Sequence, residues 1–312
     1  MPLPALEHIM YGPVRSRRLG TSLGINLLPA GKKICNMNCA YCQYGWTRGA
    51  VRYRGQGPGW PTAQAVDTAL SARLSAAAER NEVIDRLTVA GHGEPTLHPE
   101  FAEIALRLRS VRDRIAPGIP LAILSNSTTA SADDVRRGLG AFDERYMKLD
   151  AGDSATFATL NGGGRHLSDV LDALRTLSPI VVQAMFVRDA RGVVGNSGDA
   201  AIRAWLEALE TIRATRVHIY TIDRSPALGS LSPVPPHRLR EIAEQVRALG
   251  IHTDVFQPGG AIQSGRPRRR TEQAASTATA RSLPDFRQES DRRRHASGNR
   301  SCLPTWRAPC DR

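Results

Sequence analysis

Two residue types are scarce in this 312-residue chain, and each scarcity narrows what it can be. Cysteine occurs five times, an odd and small number that does not suit the disulfide framework of a secreted domain; in an intracellular chain, clustered cysteines bind metal or do chemistry. Lysine occurs only at Lys32, Lys33 and Lys148, against 39 arginines. The basic character therefore reflects an arginine-rich composition, and a lysine, where one stands, implies a need for an ammonium. Runs of 18 or more apolar residues are missing, so no helix is expected to span a membrane. The first 13 residues lack a basic start followed by an apolar stretch, so no secretory leader is expected either. A cytoplasmic protein with no membrane partner is the resulting expectation.

What is present suits a globular protein: 41% hydrophobic and 23% charged residues, in a length sufficient for one large α/β domain or two small ones. The net charge of +12 is unevenly placed. From residue 260 onward twelve arginines face five acidic residues, a local excess of +7, which leaves +5 for the first 259 residues. That tail holds arginine clusters at 266–270 and 292–294, many small polar residues and few apolar ones, too few to offset the entropy of ordering it. The expected organisation is a folded domain over 1–259 and an arginine-rich, disordered tail over 260–312, with at most a transient helix over 272–281. A basic surface can attract nucleic acid.

Apolar, β-branched runs at 23–28, 87–90, 121–124, 145–149, 180–187, 217–222 and 252–256 predict strands, with helix-length segments between them. Pro61 and Thr62 open a helix reaching to about Arg80. Ser131 precedes another over 132–139. Ser197 is placed to cap a helix whose Ile202, Trp205, Leu206, Leu209 and Ile212 share a face, and Pro235–Pro236 start one that Gly250 stops. Strand–helix units in this order predict an α/β fold, a partial, open (β/α)6-type barrel of parallel strands, with function at the C-terminal strand ends.

The chemistry concentrates there. Cys35-Asn-Met-Asn-Cys39-Ala-Tyr41-Cys42 follows the first predicted strand, and three thiolates at these spacings can converge on an iron–sulfur cubane. A fourth thiolate is absent nearby, which leaves one iron open. A zinc site would need a histidine, and the nearest are His8 and His92. Cys302 and Cys310, in the tail, are poor candidates for a second cluster. Segment 91–99, Gly-His-Gly-Glu-Pro-Thr-Leu-His-Pro, follows the second strand, with Thr88, Ala90, His92 and Glu94 on one face. Gly91 and Gly93 allow backbone to approach a ligand closely, and the Glu94 carboxylate suits an ammonium. Ser125 and Asn126 stand either as ligand contacts or as a strand-end turn. Gln183 and Met185 share a strand face that can line the cavity, and Gly162-Gly163-Gly164 suits a flexible loop.

With these residues in view, the chain resembles the radical S-adenosylmethionine (SAM) superfamily, whose signature is Cys-x3-Cys-x2-Cys with an aromatic before the last cysteine. Segments 11–20, 22–26, 91–99, 124–128, 148–152 and 220–226 resemble a subgroup related to the wyosine-forming enzymes of tRNA, so the resemblance runs from about 11 to 256. It implies a 4Fe–4S cluster on Cys35, Cys39 and Cys42 that cleaves SAM reductively and so abstracts hydrogen from a substrate. It further implies SAM contacts from Tyr41, Gly91, Gly93, Glu94, Ser125 and Asn126, and an electron donor such as flavodoxin or ferredoxin. The substrate is left open between a small molecule, a protein and a tRNA base. An iron–sulfur electron-transfer or sensor protein is the competing expectation. Lys148 is the expected catalytic residue: Tyr146, Lys148 and Asp150 alternate with apolar neighbours, which turns them inward. There Lys148 can contact SAM or substrate, form a Schiff base if its pKa is depressed, or simply pair with Asp150.

Overall fold

The computed structural model describes residues 2–49, 51, 53–258 and 263–265. Strand β1 (Met10–Ser16) forms an antiparallel hairpin with β2 (Gly20–Ile25), and the parallel series then begins. It runs β2, α1 (Ala63–Glu79), β3 (Arg86–Val89), α2 (Phe101–Ile115), β4 (Leu121–Ser125), α3 (Asp133–Leu139) and β5 (Glu144–Lys148). It continues with α4 (Ser154–Asn161), α5 (Leu167–Arg175), β6 (Val181–Asp189), α6 (Asp199–Thr211) and β7 (Arg216–Thr221). The short β8 (Leu231–Pro233), α7 (Pro236–Ala248), β9 (His252–Phe256) and β10 (Gln263–Gly265) complete it. The sheet order is β1-β2-β3-β4-β5-β6-β7-β9-β10, with β8 paired to β6. Strands β2 to β7 and β9 are mutually parallel, and β1 and β10 are antiparallel edges. The expected α/β fold is observed, an open sheet of strand–helix units rather than a closed barrel.

Alternation along the strands separates two environments. Leu23, Ile25, Leu87, Val89, Leu121, Ile123, Met147, Leu149, Val182, Ala184, Val217 and Ile219 form the core beneath the helices. Tyr146, Lys148 and Asp150 point the other way, into the interior, as their spacing predicts. Helix α1 follows its signals: Thr62 caps it by accepting from the Ala65 N–H at 3.1 Å, and Val66, Leu70 and Leu74 recur along its buried side.

Several expected boundaries moved. The first parallel strand covers Gly20–Ile25 rather than 23–28. Asn26 ends it early, its side chain bonding both the N–H and the carbonyl of Leu28. At the other end the strand starts earlier on polar residues, with Ser22 bonded to Thr88 at 2.6 Å. The expected Ser197 cap does not operate. Ala132 and Gly198 occupy the cap positions of α3 and α6 without side-chain bonds, and Ser197 instead bonds the Val187 carbonyl. Strand β10 extends the sheet past the expected boundary at 259, pairing Gln263 with Val255. The expected disorder of the tail, its transient helix over 272–281, and Cys302 and Cys310 lie outside the described residues. Among the described residues no helix is long and apolar enough to cross a membrane.

Candidate active site at the strand ends

The loop after β2 carries the three cysteines, and neighbouring elements seat it from behind. Asn38 and Ala40 donate their backbone N–H groups to the carbonyls of Asn161 and Leu160 at the end of α4, at 2.8 and 2.9 Å. The glycines that follow α4 make this approach possible. All three have positive φ, and a Cβ on Gly163 would stand 2.5 Å from the Asn36 carbonyl oxygen. The Gly162–Gly164 run is thus a seat for the cysteine loop rather than the flexible loop expected of it.

Each cysteine sulfur then meets one side-chain N–H group from a different place in the fold. Asn126 Nδ2, after β4, lies 3.8 Å from Cys35 Sγ; Asn161 Nδ2, closing α4, lies 3.5 Å from Cys39 Sγ; Lys33 Nζ lies 3.2 Å from Cys42 Sγ. Burial, then the nearby charge of Cys39, pushes the Cys35 thiol up to about 12. Burial likewise raises Cys39, against the opposing influence of Lys148. These sulfurs are costly to ionise alone, and a cationic metal core is what would offset that cost. Among the described residues no three His, Cys, Asp or Glu side chains are arranged to hold a single ion. A cubane differs in spreading its thiolate contacts over separate irons. Three cysteine thiols in one loop are the donor chemistry that iron–sulfur clusters take.

The segment after β3 brings Glu94 against the turn after β4. Glu94 is almost wholly buried, and its carboxylate accepts four hydrogen bonds. Oε1 accepts from the Thr96 N–H (3.1 Å), the Thr96 hydroxyl (2.5 Å) and the Ser125 hydroxyl (2.9 Å); Oε2 accepts from the Asn126 N–H (2.6 Å). Burial still outweighs these bonds and raises its pKa. Through these bonds Glu94 ties the end of β3 to the end of β4, and Oε2 accepts only one of the four. Ser125 and Asn126 form the turn between them. Asn126 bonds Thr128 and, at 2.8 Å, Asn36 in the cysteine loop. Gly91 and Gly93 also make room for neighbouring protein: a Cβ would stand 2.3 Å from Asn26 Oδ1 and 1.8 Å from the Ile34 carbonyl oxygen, respectively.

A second network forms after β5. Asp150, buried, accepts from the Tyr41 hydroxyl, from Lys148 Nζ at 3.3 Å and from Asn161 Nδ2 at 2.9 Å on one oxygen, and from the Met185 N–H at 2.9 Å on the other. Lys148 Nζ also donates to the Tyr41 hydroxyl at 2.6 Å and lies 4.7 Å from the centre of its ring. Tyr41 is held well above its ordinary range by burial and then by the Asp150 charge. For Lys148 burial acts downward, but Asp150, Tyr220 and Cys39 outweigh it and hold the ammonium above its usual range. The depressed pKa that a Schiff-base lysine needs is absent here, while the pairing with Asp150 is present. Asn161 and Lys33 join the site without having been singled out for it, and Asp150 takes the pairing with Lys148 that the sequence offered. Of Gln183 and Met185, expected to line the cavity, Gln183 faces inward and accepts from Arg18 Nη1 at 2.9 Å.

Comparison with known proteins agrees with this geometry. A family model described as the radical SAM superfamily matches residues 32–181, from the lysine pair to the start of β6. A UPF0026 protein of Helicobacter pylori strain J99 is 31% identical over 218 residues, 69% of this chain and 67% of its own. Among solved structures, a radical SAM methyltransferase from Sphaerobacter thermophilus superposes with a TM-score of 0.53 at 16% identity, over 77% of this chain and 67% of the other. Streptococcus suis SuiB bound to S-adenosylmethionine gives 0.51 at 13% identity, over 73% of this chain and 49% of that one. The chain belongs to the UPF0026 proteins, and over residues 32–181 it is similar to the radical SAM superfamily. That similarity supports SAM-dependent, iron–sulfur chemistry of a general kind.

Proposed function

We propose that this chain holds a 4Fe–4S cluster on Cys35, Cys39 and Cys42, binds SAM at the iron without a protein thiolate, and abstracts hydrogen from a substrate held inside the barrel. When bound and reduced, the cluster supplies the electron that breaks the SAM sulfonium bond. The chain's own residues supply the setting. Asn126, Asn161 and Lys33 direct N–H groups at the three sulfurs, which favours their negative charge and fixes their orientation. Glu94, Ser125 and Asn126 brace the turn beside Cys35, and Tyr41 closes the interior under Cys39. Lys148, kept charged by Asp150, presents an ammonium to the SAM carboxylate or to the substrate, and is the residue assigned to catalysis. The electron comes from a carrier such as flavodoxin or ferredoxin. The finer reading of the substrate, from the wyosine-like segments, is a base in tRNA.

The observation that carries this reading is the three-cysteine loop with an N–H donor at each sulfur, Asn126 and Asn161 from other parts of the fold and Lys33 from the loop itself. Anaerobic reconstitution should give a brown protein that releases 5′-deoxyadenosine from SAM on reduction, faster with tRNA present. Replacing all three cysteines with alanine should abolish colour and release together. A triple variant that still bound four irons would overturn the assignment.

A further inference from the structure

Four polar residues stand side by side across the sheet, one on each of β5, β6, β7 and β9. Their register is direct: Lys148 lies beside Gln183, Gln183 beside His218, and His218 beside Asp254. All four face inward, alternating with the core residues Met147, Val182, Val217 and Val255. The two outer members are paired, Lys148 with Asp150 at 3.3 Å and Asp254 with Arg216 at 3.0 Å. The two inner members are incompletely satisfied. Gln183 is 6% exposed and His218 2%, yet among the described residues Gln183 Nε2 and His218 Nδ1 have no hydrogen-bond partner. Buried polar groups are costly to leave unpaired and are few in native folds. Two of them on neighbouring strands point to a partner from outside the chain.

The turn of the β1–β2 hairpin brings a cation to this row. Ser16 Oγ accepts from the N–H groups of Arg18 (3.3 Å) and Leu19 (3.2 Å), and Leu19 packs inward with Ala122 and Tyr146. From that turn Arg18 Nη1 donates to Gln183 Oε1 at 2.9 Å, and its guanidinium lies 4.0 Å from the centre of the Tyr220 ring. The acceptor end of the Gln183 amide is thus taken by Arg18, and the donor end is the one left over. Among the described residues Arg18 has no carboxylate partner, although Arg17 beside it pairs with Asp223 at 2.5 Å. Burial outweighs the attraction of Asp254 and lowers the pKa of His218, so its ring is neutral at pH 7.

We infer that Arg18 and the Gln183 amide anchor an oxyanion of the substrate, a carboxylate or a phosphate, with His218 beside them as an uncharged hydrogen-bonding group. The inference rests on the proposed function only in taking the bound group to belong to the substrate. A guanidinium fork and an amide N–H together suit a group with two or more oxygen atoms. A half-buried guanidinium without a carboxylate favours a ligand that brings the negative charge itself. Because Gln183 is the register neighbour of Lys148, an anion held there places the rest of its molecule beside the ammonium assigned to catalysis. Arg18 and Gln183 are in this reading specificity residues, which fix where the substrate lies without taking part in bond breaking.

The test uses the reconstituted full chain and two probe anions, acetate and inorganic phosphate, with chloride at equal ionic strength as the reference for general screening. The anion that matches the anchor, at roughly ten times its dissociation constant, should raise the thermal midpoint by about 4 °C. A shift with acetate assigns a carboxylate, and a shift with phosphate assigns a phosphate. Arg18→Gln should abolish the shift. Gln183→Glu separates the anchor from a merely structural bond, because it offers Arg18 an internal carboxylate. That variant should be at least as stable as the wild type and yet show no shift. A shift retained in both variants, or none from either anion in the wild type, would overturn the inference. Loss of SAM binding in the variants would overturn it too, by assigning the anchor to the SAM carboxylate. Iron content in the same samples keeps the two readings apart: a wild-type chain that showed the shift but held no iron would overturn the cluster and keep the anchor.

Discussion

Two buried carboxylates stand at neighbouring strand ends, and their surroundings differ in one respect. Glu94, beyond β3, accepts four hydrogen bonds, all from uncharged groups of its own fold. Asp150, beyond β5, also accepts four, but one donor is the Lys148 ammonium. The first arrangement ties two strand ends together, because its four bonds hold backbone and hydroxyls in place. The second stores a cation facing the interior and orients it through Tyr41. Equal burial and equal bond counts thus serve architecture in one case and a poised charge in the other.

The sharpest way to break this comparison is to remove each carboxylate. Glu94→Ala orphans four buried donors at about 1 kcal/mol or more each, so a loss of roughly 4 kcal/mol and of bound iron together is expected by thermal denaturation and iron assay. Asp150→Asn leaves the Lys148 ammonium without its counter-charge, at a cost of about 3 kcal/mol. Iron should be retained and deoxyadenosine release lost. If the two variants lose iron equally, the distinction between brace and poised charge fails. Lys148 sharpens it further. Both Lys148→Ala and Lys148→Arg should keep the cluster and most of the stability but lose most turnover, because the branched guanidinium does not reproduce a single ammonium contact. Near-normal product formation in Lys148→Arg would reduce Lys148 to an ion-pair partner of Asp150.

A smaller effect involves a third carboxylate, away from the cysteines. Asp254 lies 3.4 Å from His218 Nε2 and 3.0 Å from Arg216. Burial opposes its ionisation, but His218 and Arg216 prevail and hold it far below the ordinary carboxylate value. A depressed folded-state pKa gives stability that is present above the unfolded value, about 3.9, and is lost as pH falls from there toward the folded one. Asp254→Asn should therefore flatten the decline of thermal stability on acidification below about pH 4. The smallest change expected is from truncation after Gly265, which keeps β10 and should leave the thermal midpoint and deoxyadenosine release nearly unchanged. Loss of soluble protein would show that the arginine-rich tail contributes to folding.

The sequence made the parallel strands and the cysteines legible because both are local signals: apolar alternation in one case, a fixed spacing in the other. It hid β1, where Gly12 and Pro13 interrupt the alternation and most residues are exposed. It also hid the protein partners of Glu94. A carboxylate after a Gly-x-Gly turn reads the same whether or not it accepts from Ser125 and Asn126, which lie 31 and 32 residues further on. Asn161 carried no signal at all, since only packing of α4 brings it to Cys39. Lys33 did carry one. The rarity of lysine that drew attention to Lys148 applied equally to Lys33, and in the fold these two of the three lysines lie against the cysteine loop.

Gly93 has a consequence for anyone who would re-engineer this scaffold. A Cβ there would stand 1.8 Å from the carbonyl oxygen of Ile34, the residue just before Cys35, and the Glu94 N–H donates to that same carbonyl at 2.9 Å. The cysteine loop and the turn after β3 are therefore not interchangeable modules. A chimera that imports one of them from another protein must import the other as well, because the interface between them is two main chains in contact, with no side chain available to be trimmed.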